Sequence, residues 1–384
     1  MQDLRTIVND KMRANRPARE AMLALIGSAE AIAFVGTGLS APLKYPAWND
    51  LLARLHDLAT QIAAFDPPAA LKSDVLQYAE EIKQHFKNNG ALHEFYNAIG
   101  REFLPRNGTN CTNCHHRLAK LSFRAFVTSN YDDSMEQALN DCAMNELGRA
   151  RPDPGIVIKR NSADRHIVSV FLRSIVDRVE KNQRRVGHLH GRYNDTMNII
   201  LAASDYEDAY GLILKGSKPR EVPSSTLHRQ LVWALFATRQ LVFFGCSMDD
   251  PYIKTLLDMV AADLWEWNQP IHFVVLPIDE KSALAADTLS RALARKGLQA
   301  VFFDNCDGNY AGLDQLLEEA VERGRLDKSV PTSMAGRSAQ TKTSVPSDQT
   351  QPATQVRAPD EEAQLQWLEE VNKTTAKHLR KNED

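Results

Sequence analysis

The stretch AIAFVGTGLSA, residues 31–41, decides how the fold of this chain is interpreted. Its first five residues are apolar without alternation, which is typical of a strand buried on both faces of a sheet. A G-x-G-x-x-A turn follows, in which Gly36 permits a tight bend, Gly38 lets the backbone approach a pyrophosphate and Ser40 adds a hydroxyl donor. A tight turn that binds no ligand is the alternative. The stretch therefore predicts a buried parallel strand followed by a phosphate-binding turn.

Further runs rich in β-branched or aromatic residues repeat this pattern along the chain, and stretches with helical periodicity lie between most of them. Strands that alternate with helices indicate right-handed βαβ units. The sequence predicts an α/β fold with a doubly wound, mostly parallel, six-stranded sheet. Its predicted strands are residues 31–36, 123–129, 185–191, 240–245, 272–277 and 298–303. The clearest predicted helices are residues 48–63, 251–265 and 281–296.

Insertions interrupt this alternation inside a domain that we expect to cover residues 1–326. Residues 64–122 have helical spacing at about 71–86 and 92–103, which predicts a helical insertion that acts as a lid. Less regular insertions are predicted at about residues 142–184 and 192–230.

The C-terminal part of the chain has a different composition. Residues 327–359 are rich in Ser, Thr, Gln and Pro and have few large apolar side chains, which predicts a disordered linker. Residues 360–384 regain helical spacing through Leu365, Leu368 and Val371, which predicts a short amphipathic helix.

Composition excludes several classes of protein. The 384 residues carry a net charge of −3, so no general basic field favours nucleic acid or an anionic membrane, and we expect neither as a partner. No apolar window approaches the ~18 residues of a membrane span, and the N-terminus lacks a signal peptide, which predicts a cytoplasmic protein. Its five cysteines are odd in number and scattered, which favours reduced thiols.

Polar residues follow the second predicted strand, in the sequence Thr-Ser-Asn130-Tyr-Asp132. Residues just past the carboxyl ends of strands line the ligand crevice of a doubly wound sheet. Asn130 offers both a donor and an acceptor, which suits ribose hydroxyls or a positioned water. Asp132 can orient a neighbour or cap a helix that starts near Asp133. The alternative is that this segment is only a turn with an N-cap.

Two later strand ends are also candidates. In His188-Leu-His190-Gly the second histidine lies at the strand end and is better placed for chemistry, whereas His188 lies deeper and is expected to matter less. The alternative is that both are packing residues. In FGCSMDDP, Gly245 and Ser247 can surround a ribose, while Asp249 or Asp250 as an ordinary N-cap before Pro251 is an equal account.

The string Cys111-Thr-Asn-Cys114-His-His matches half of a zinc site and a haem-attachment motif. Haem attachment requires export, for which there is no signal, and a zinc site requires a second pair of ligands. The remaining cysteines are scattered along the chain. We therefore expect no metal.

Taken in order, GTGLSAP, VTSNYD, HLHG and FFGCSMDD resemble the motif series of sirtuin-like domains over about residues 20–325. The resemblance implies a Rossmann-like NAD-binding domain. In sirtuins the asparagine of the second motif and the histidine before glycine form the catalytic pair. By position these are Asn130 and His190, with Asp132 as a candidate orienter.

The same matching implies which residues bind NAD. The loop between Pro42 and Trp48 delays the next helix and leaves space for nicotinamide, so Trp48 is included. The implied NAD-binding residues are Gly36, Thr37, Gly38, Ser40, Trp48, Gly245 and Ser247.

Two departures indicate which relatives are most similar. Deacylating sirtuins have a four-cysteine zinc ribbon after the HG motif, but this chain has no cysteine between His190 and Cys246. The loop LKYPAW, the TSNYD form and the later Ser204-Asp205-Tyr206 resemble bacterial sirtuin-like effectors of anti-phage defence, which hydrolyse NAD. The resemblance implies a homo-oligomer and, for some relatives, a partner ATPase or nuclease.

The expected activity is cleavage of NAD to nicotinamide and ADP-ribose, with NAD as substrate and no metal. His190 is the expected general base and Asn130 the residue that holds the ribose and the water. Two alternatives stay open: a protein deacylase or ADP-ribosyltransferase that uses NAD, and a non-catalytic scaffold that senses a nucleotide.

Overall fold

The computed structural model describes most of the chain up to residue 329. The described residues are 4–68, 74–105, 110–150, 152–159, 165–176, 183–213, 220–221, 226–248, 250–264 and 271–329. The predicted C-terminal helix and nearly all of the predicted linker lie outside them. The last described helix ends at Ser329, so the first three residues assigned to the linker are helical.

Helices and strands alternate along the described chain as the sequence predicts. The helices are α1 Leu4–Gly27, α2 Trp48–Ile62, α3 Val75–Asn88, α4 Leu92–Glu102, α5 Asn113–Lys120, α6 Ser134–Leu147, α7 Arg165–Val176, α8 Ala203–Tyr210, α9 Leu227–Thr238, α10 Pro251–Leu264, α11 Ala286–Ala294 and α12 Ala311–Ser329. The strands are β1 Ile32–Val35, β2 Phe126–Thr128, β3 Gly155–Val157, β4 Val186–His188, β5 Leu212–Ile213, β6 Arg220–Glu221, β7 Leu241–Phe244, β8 His272–Ile278 and β9 Leu298–Asp304.

The main sheet is parallel throughout and has the order β3-β4-β2-β1-β7-β8-β9. The predicted parallel α/β fold is confirmed, but the predicted count of six strands is wrong because β3 adds a seventh at the edge, beside β4. This strand lies in the segment 142–184 that was predicted to be irregular. It has only three half-buried residues, too few to form an apolar run. Strands β5 and β6 form a separate antiparallel pair.

Strand β1 lies at the centre of the sheet, and its neighbours explain why its sequence is apolar throughout. Ile32 and Phe34 belong to the apolar core that includes α9 and α10, whereas Ala33 and Val35 belong to the core that includes α5, α6 and α12. Both faces of the strand are therefore covered. The chain proceeds to β2 on one side of β1 and to β7 on the other, so the strand order reverses here. In open α/β sheets such a reversal opens a crevice at the carboxyl ends of the strands.

Helices α2, α3 and α4 form a helical module around a third apolar core, which also includes Tyr131, Leu201 and Ala202 from loops at the carboxyl edge of the sheet. The module begins at Trp48, before the predicted insertion. Helix α5, which lies inside the predicted insertion 64–122, packs instead against α6 and α12 in the core under the sheet. That the module acts as a lid stays a prediction.

None of the described helices combines the length and the apolar character that a membrane span needs.

Candidate functional site

The turns after β1 and β7 contact each other at the point where the strand order reverses. The N–H of Gly36 donates to the carbonyl of Phe244 at 2.8 Å, and the N–H of Gly38 donates to that of Gly245 at 2.9 Å. A Cβ atom at Gly36 or Gly38 would lie only 2.5 or 2.9 Å from the Gly245 oxygen. The glycines are therefore required for the close approach of the two turns. In this arrangement the Gly38 N–H is used inside the protein, where the sequence analysis predicted backbone approach to a pyrophosphate.

Two hydroxyl residues of the first turn have different surroundings. Thr37 is exposed at the carboxyl edge of the sheet, whereas Ser40 is buried. The Oγ of Ser40 accepts a hydrogen bond from Nδ2 of Asn130 at 3.4 Å. The turn after β1 is therefore connected to the loop after β2 through the side chain that was predicted to be catalytic.

Several hydrogen bonds hold Asn130 in place, but its side-chain oxygen has no hydrogen-bond partner among the described residues. Its N–H donates to Oγ1 of Thr128 at 2.9 Å, and that hydroxyl donates to the carbonyl of Val35 at 2.7 Å. The side chain is 4% exposed, and its Oδ1 has no hydrogen-bond partner among the residues that the structure describes. A buried acceptor without a partner costs about 1–3 kcal/mol, so it marks a place where a ligand or water would be stabilised.

Asp132 is buried, and its Oδ1 accepts the N–H of Ser134 at 3.0 Å at the start of α6. It also acts on the buried His115, whose pKa falls to about 4 because burial disfavours the charged imidazole more than Asp132 favours it. The contact with the Ser134 N–H lies at the start of α6, where a capping residue would act, whereas a role for Asp132 in orienting a catalytic residue stays a prediction. The histidine beside it is His115, however, whereas the described contacts of His190 come from other residues.

His190 lies just beyond β4 and is 3% exposed. Its Nε2 is 2.9 Å from the hydroxyl of Tyr210, and its Nδ1 is 3.5 Å from that of Tyr206. The Tyr206 hydroxyl donates to Oδ2 of Asp250 at 3.1 Å, and this oxygen is 3.9 Å from Nε2 of His190. Burial lowers the pKa of His190, and the Asp250 carboxylate opposes that shift only in part. The imidazole is therefore neutral near pH 7 and able to accept a proton.

The pKa of His188, two residues before His190, shifts in the opposite direction. It is fully buried, with Nδ1 3.1 Å from the carbonyl of Asn130 and Nε2 2.5 Å from Oε1 of Glu136. Burial favours a lower pKa, but the adjacent Glu136 carboxylate outweighs it and raises the pKa. His188 therefore supports the backbone of the Asn130 loop, and that it matters less than His190 for the chemistry stays a prediction.

The remaining NAD-binding candidates lie around the two turns. Gly245 has φ of +64°, and a Cβ there would lie 2.6 Å from the Leu39 nitrogen, so only glycine fits this position. Ser247 is exposed beside it. Trp48 begins α2, is half-buried, and packs against both the sheet core and the core of the helical module. Asp249 lies outside the described residues, and Asp250 caps α10 as the alternative proposed.

The sequence analysis missed the residues that surround His190. Tyr206 and Tyr210 lie on α8, one helical turn apart, and both contact the imidazole. The only sequence signal was Ser204-Asp205-Tyr206, which was recognised by resemblance and given no role. The structure supplies one: Asp205 accepts hydrogen bonds from Lys83 and Tyr96 of the helical module, each at 2.7 Å, and so holds α8 in place.

A family model described as the SIR2-like domain matches residues 124–301. This range includes Asn130, His190, the two tyrosines of α8 and Gly245. Over these residues the chain is similar to SIR2-like domains. Three of the four motifs that carry the resemblance, VTSNYD, HLHG and FFGCSMDD, lie in this range, and the resemblance is confirmed at this level, whereas GTGLSAP precedes the matched residues.

A curated relative is similar over a longer stretch than the SIR2-like domain alone. It is NAD(+) hydrolase ThsA of Enterococcus faecium, 25% identical over 256 residues, which cover 65% of this chain and 44% of that protein. The chain therefore spans less than half of the length of this relative.

Proposed function

We propose that this protein cleaves NAD at the nicotinamide–ribose bond and releases nicotinamide and ADP-ribose. The observation that carries the proposal is the buried Oδ1 of Asn130, without a partner among the described residues and located at the same sheet edge as a neutral His190. Its support from outside the structure is the similarity to a protein named as an NAD(+) hydrolase.

Cleavage of the nicotinamide–ribose bond does not depend on acid catalysis by the protein. Nicotinamide leaves as a neutral base and takes the electron pair of the broken C–N bond, so no strong general acid is required. The protein must exclude water, stabilise an oxocarbenium-like ribose and direct one water molecule at the anomeric carbon. Oδ1 of Asn130 accepts a hydrogen bond from that water or a ribose hydroxyl, and His190 takes the proton that the water loses.

The NAD-binding residues in this proposal lie on the two interlocked turns. Thr37 and Ser247 are exposed and carry hydroxyls, one on each turn, which suits phosphate and ribose oxygens. Gly36, Gly38 and Gly245 allow these turns to meet. Ser40 connects the first turn to Asn130. Trp48 contributes an aromatic face where the helical module joins the sheet core.

In the cell, we propose, the protein is an anti-phage effector that depletes NAD. A constitutively active NAD hydrolase would kill its host, so activity has to depend on assembly, at least as a homo-oligomer and in some settings with a partner ATPase or nuclease encoded nearby. The C-terminal tail, residues 327–384, is the proposed contact, since the short amphipathic helix that the sequence predicts at residues 360–384 would gain order by docking.

The experiment that tests the proposal measures nicotinamide release and NAD loss by the purified full chain over a range of protein concentrations. His190→Ala and Asn130→Ala should each lower turnover by at least about 10²-fold, because one removes the base and the other the acceptor for water or ribose. Activity that rises more steeply than linearly with protein concentration is expected if assembly controls it.

The matched control is His272→Gln. His272 is equally buried but begins β8, at the opposite edge of the sheet, and accepts the Leu241 N–H, which a glutamine oxygen can also accept. This variant should keep its turnover. Near-wild-type turnover in a folded His190→Ala protein would contradict the assignment, and acylated ADP-ribose or modified protein in place of free ADP-ribose would indicate group transfer instead.

A further inference from the structure

Three side chains converge on one point beside α5 and α6. Sγ of Cys111 is 3.4 Å from Nε2 of His116 and 3.7 Å from Oδ2 of Asp141, and the same Nε2 and Oδ2 atoms are 2.9 Å apart. Cys114, the other cysteine of the C-x-x-C string, takes no part, because its Sγ lies 3.7 Å from Asp314 of α12. The fold thus builds a different group from the pair that the sequence string suggests.

The arrangement does not fit a catalytic thiol triad. In a triad the acid and the thiol contact different nitrogens of the imidazole, so that the ring connects them. Here both Cys111 and Asp141 lie closest to Nε2 of His116, while Nδ1 is 3.9 Å from the sulfur. Cys111 is also only 2% exposed, which prevents a substrate from reaching it. Three different donor atoms that face one another are instead typical of ligands around a cation.

We propose that Cys111, His116 and Asp141 bind one Zn²⁺ ion, contrary to the sequence-based expectation of no metal. Thiolate sulfur, imidazole nitrogen and carboxylate oxygen are the ligands of this ion, and bond lengths of about 2.0–2.3 Å in a tetrahedron place ligand atoms roughly 3.3–3.6 Å apart. The observed separations are 2.9, 3.4 and 3.7 Å, and so lie within a few tenths of an ångström of that range. Only the carboxylate has to move by such a distance to bind the ion. A fourth position is open to water.

The surroundings support a cation at this point. Oδ1 of Asp141 accepts a hydrogen bond from Gln137 at 2.7 Å, which leaves Oδ2 directed at His116. Outer contacts of this kind orient metal ligands. The side chains of His116 and Asp141 are 32% and 36% exposed, so an ion has a path from solvent.

The unloaded cluster differs in charge from the loaded one. Burial and the nearby Asp141 carboxylate raise the pKa of the Cys111 thiol to about 12, so without an ion the sulfur keeps its proton. A divalent cation reverses this balance because it binds the thiolate.

The ion would connect α5 and α6, the two helices that flank the candidate site. Thr112, at the start of α5, has its Oγ1 3.4 Å from the carbonyl of Leu39 in the turn after β1. Helix α6 begins directly after the Asn130–Asp132 loop. The proposed ion stabilises this part of the fold and takes no part in the cleavage of NAD, which needs no metal.

The test uses full-length protein without a histidine tag, stripped by a chelator, kept reduced, incubated with zinc sulfate and desalted. Elemental analysis should find about one zinc per chain in the wild type and in Cys114→Ser, and almost none in Cys111→Ser, His116→Ala and Asp141→Ala. Gln137→Ala should bind zinc roughly 10- to 100-fold more weakly, the usual cost of losing an outer contact.

Two measurements keep the test decisive if the buried Cys111→Ser variant does not fold. Asp141→Ala changes a partly exposed side chain, and its Tm should not respond to zinc, whereas the wild-type Tm should rise with zinc concentration. Cobalt added to the wild type should give a thiolate charge-transfer band that Asp141→Ala lacks. A stripped wild type that takes up no zinc, or an Asp141→Ala protein that keeps it, would overturn the proposal whatever the result for NAD.

Discussion

The pKa values of the two histidines at the end of β4 shift in opposite directions because their neighbours differ. His188 is paired with Glu136 and its pKa is raised, whereas His190 faces tyrosine hydroxyls and its pKa is lowered. The sequence places both at a strand end but does not show these neighbours, which lie on α6 and α8. Only a neutral imidazole can act as a base near pH 7, so the difference supports His190 as the base.

The pH dependence of the proposed activity tests this environment. NAD cleavage should stay constant as pH falls through about 6.5, the ordinary pKa of histidine, and decline only below it, because burial depresses the pKa of His190. In Asp250→Asn the decline should move to still lower pH, since the carboxylate that favours the imidazolium is gone while asparagine still caps α10. Rates measured from pH 4.5 to 8 determine the inflection.

The control for this variant is Asp258→Asn on the same helix, whose carboxylate pairs with Lys296 at the surface. Its pH profile should match the wild type. A shift of the Asp250→Asn decline to higher pH would contradict the assignment of the base.

At the level of elements, the helical module and α8 are joined by a buried ion pair. Lys83 of α3 lies 2.7 Å from Oδ1 of Asp205, and Oδ2 of Asp205 accepts the N–H groups of Leu201 and Ala202. Helix α8 carries both tyrosines that contact His190. The ion pair therefore positions His190 indirectly, through α8.

Removing the Lys83 amine with Lys83→Met should lower the free energy of unfolding by about 3–5 kcal/mol, because it leaves a buried carboxylate without its counter-ion. Turnover per folded molecule should fall as well, since α8 loses its anchor. Urea unfolding measures the first effect. Arg54→Met, which breaks a half-exposed pair with Glu102 in the same module, should cost under about 1 kcal/mol. Equal losses in the two variants would show that the buried pair has no special role.

The sequence predicted the elements that have a continuous apolar or helical pattern and missed those that depend on tertiary contact. All six long apolar runs became strands of the main sheet, because burial on both faces requires such runs. Strand β3 is three residues long and exists through pairing with β4. Asn130 and His190 were proposed because they follow strands, whereas Tyr210 lies on α8 outside the only sequence signal of that helix, Ser204-Asp205-Tyr206.

Besides His190, three more buried histidines in the described part of the chain are kept uncharged. Burial lowers the pKa of His115 to about 4 and those of His228 and His272 to about 3. A lowered pKa in the folded state means that the unfolded chain binds more protons below pH 6.5, so stability is complete above that pH and decreases as pH falls. His188 does not share in this loss, because its pKa moves in the other direction.

Each of the three should reduce the free energy of unfolding by up to about 2 kcal/mol between pH 6.5 and 5. Urea unfolding at several pH values in this range measures the total, and His272→Gln should show a smaller pH slope than the wild type because one of the three protons is no longer taken up. Unchanged stability from pH 7 to 5 would mean that these imidazoles are not held neutral.

The contacts between the turns after β1 and β7 also determine when the candidate site can form during protein synthesis. The N–H groups of Gly36 and Gly38 have their acceptors at Phe244 and Gly245, more than half of the chain later. Until the ribosome has released those residues, the turn after β1 lacks the carbonyls that shape it, and β1 lacks one of its two neighbours. A nascent chain therefore carries Asn130 and His190 for a long time before the candidate site has formed. A cell that makes this protein is protected from the proposed activity throughout most of each round of translation.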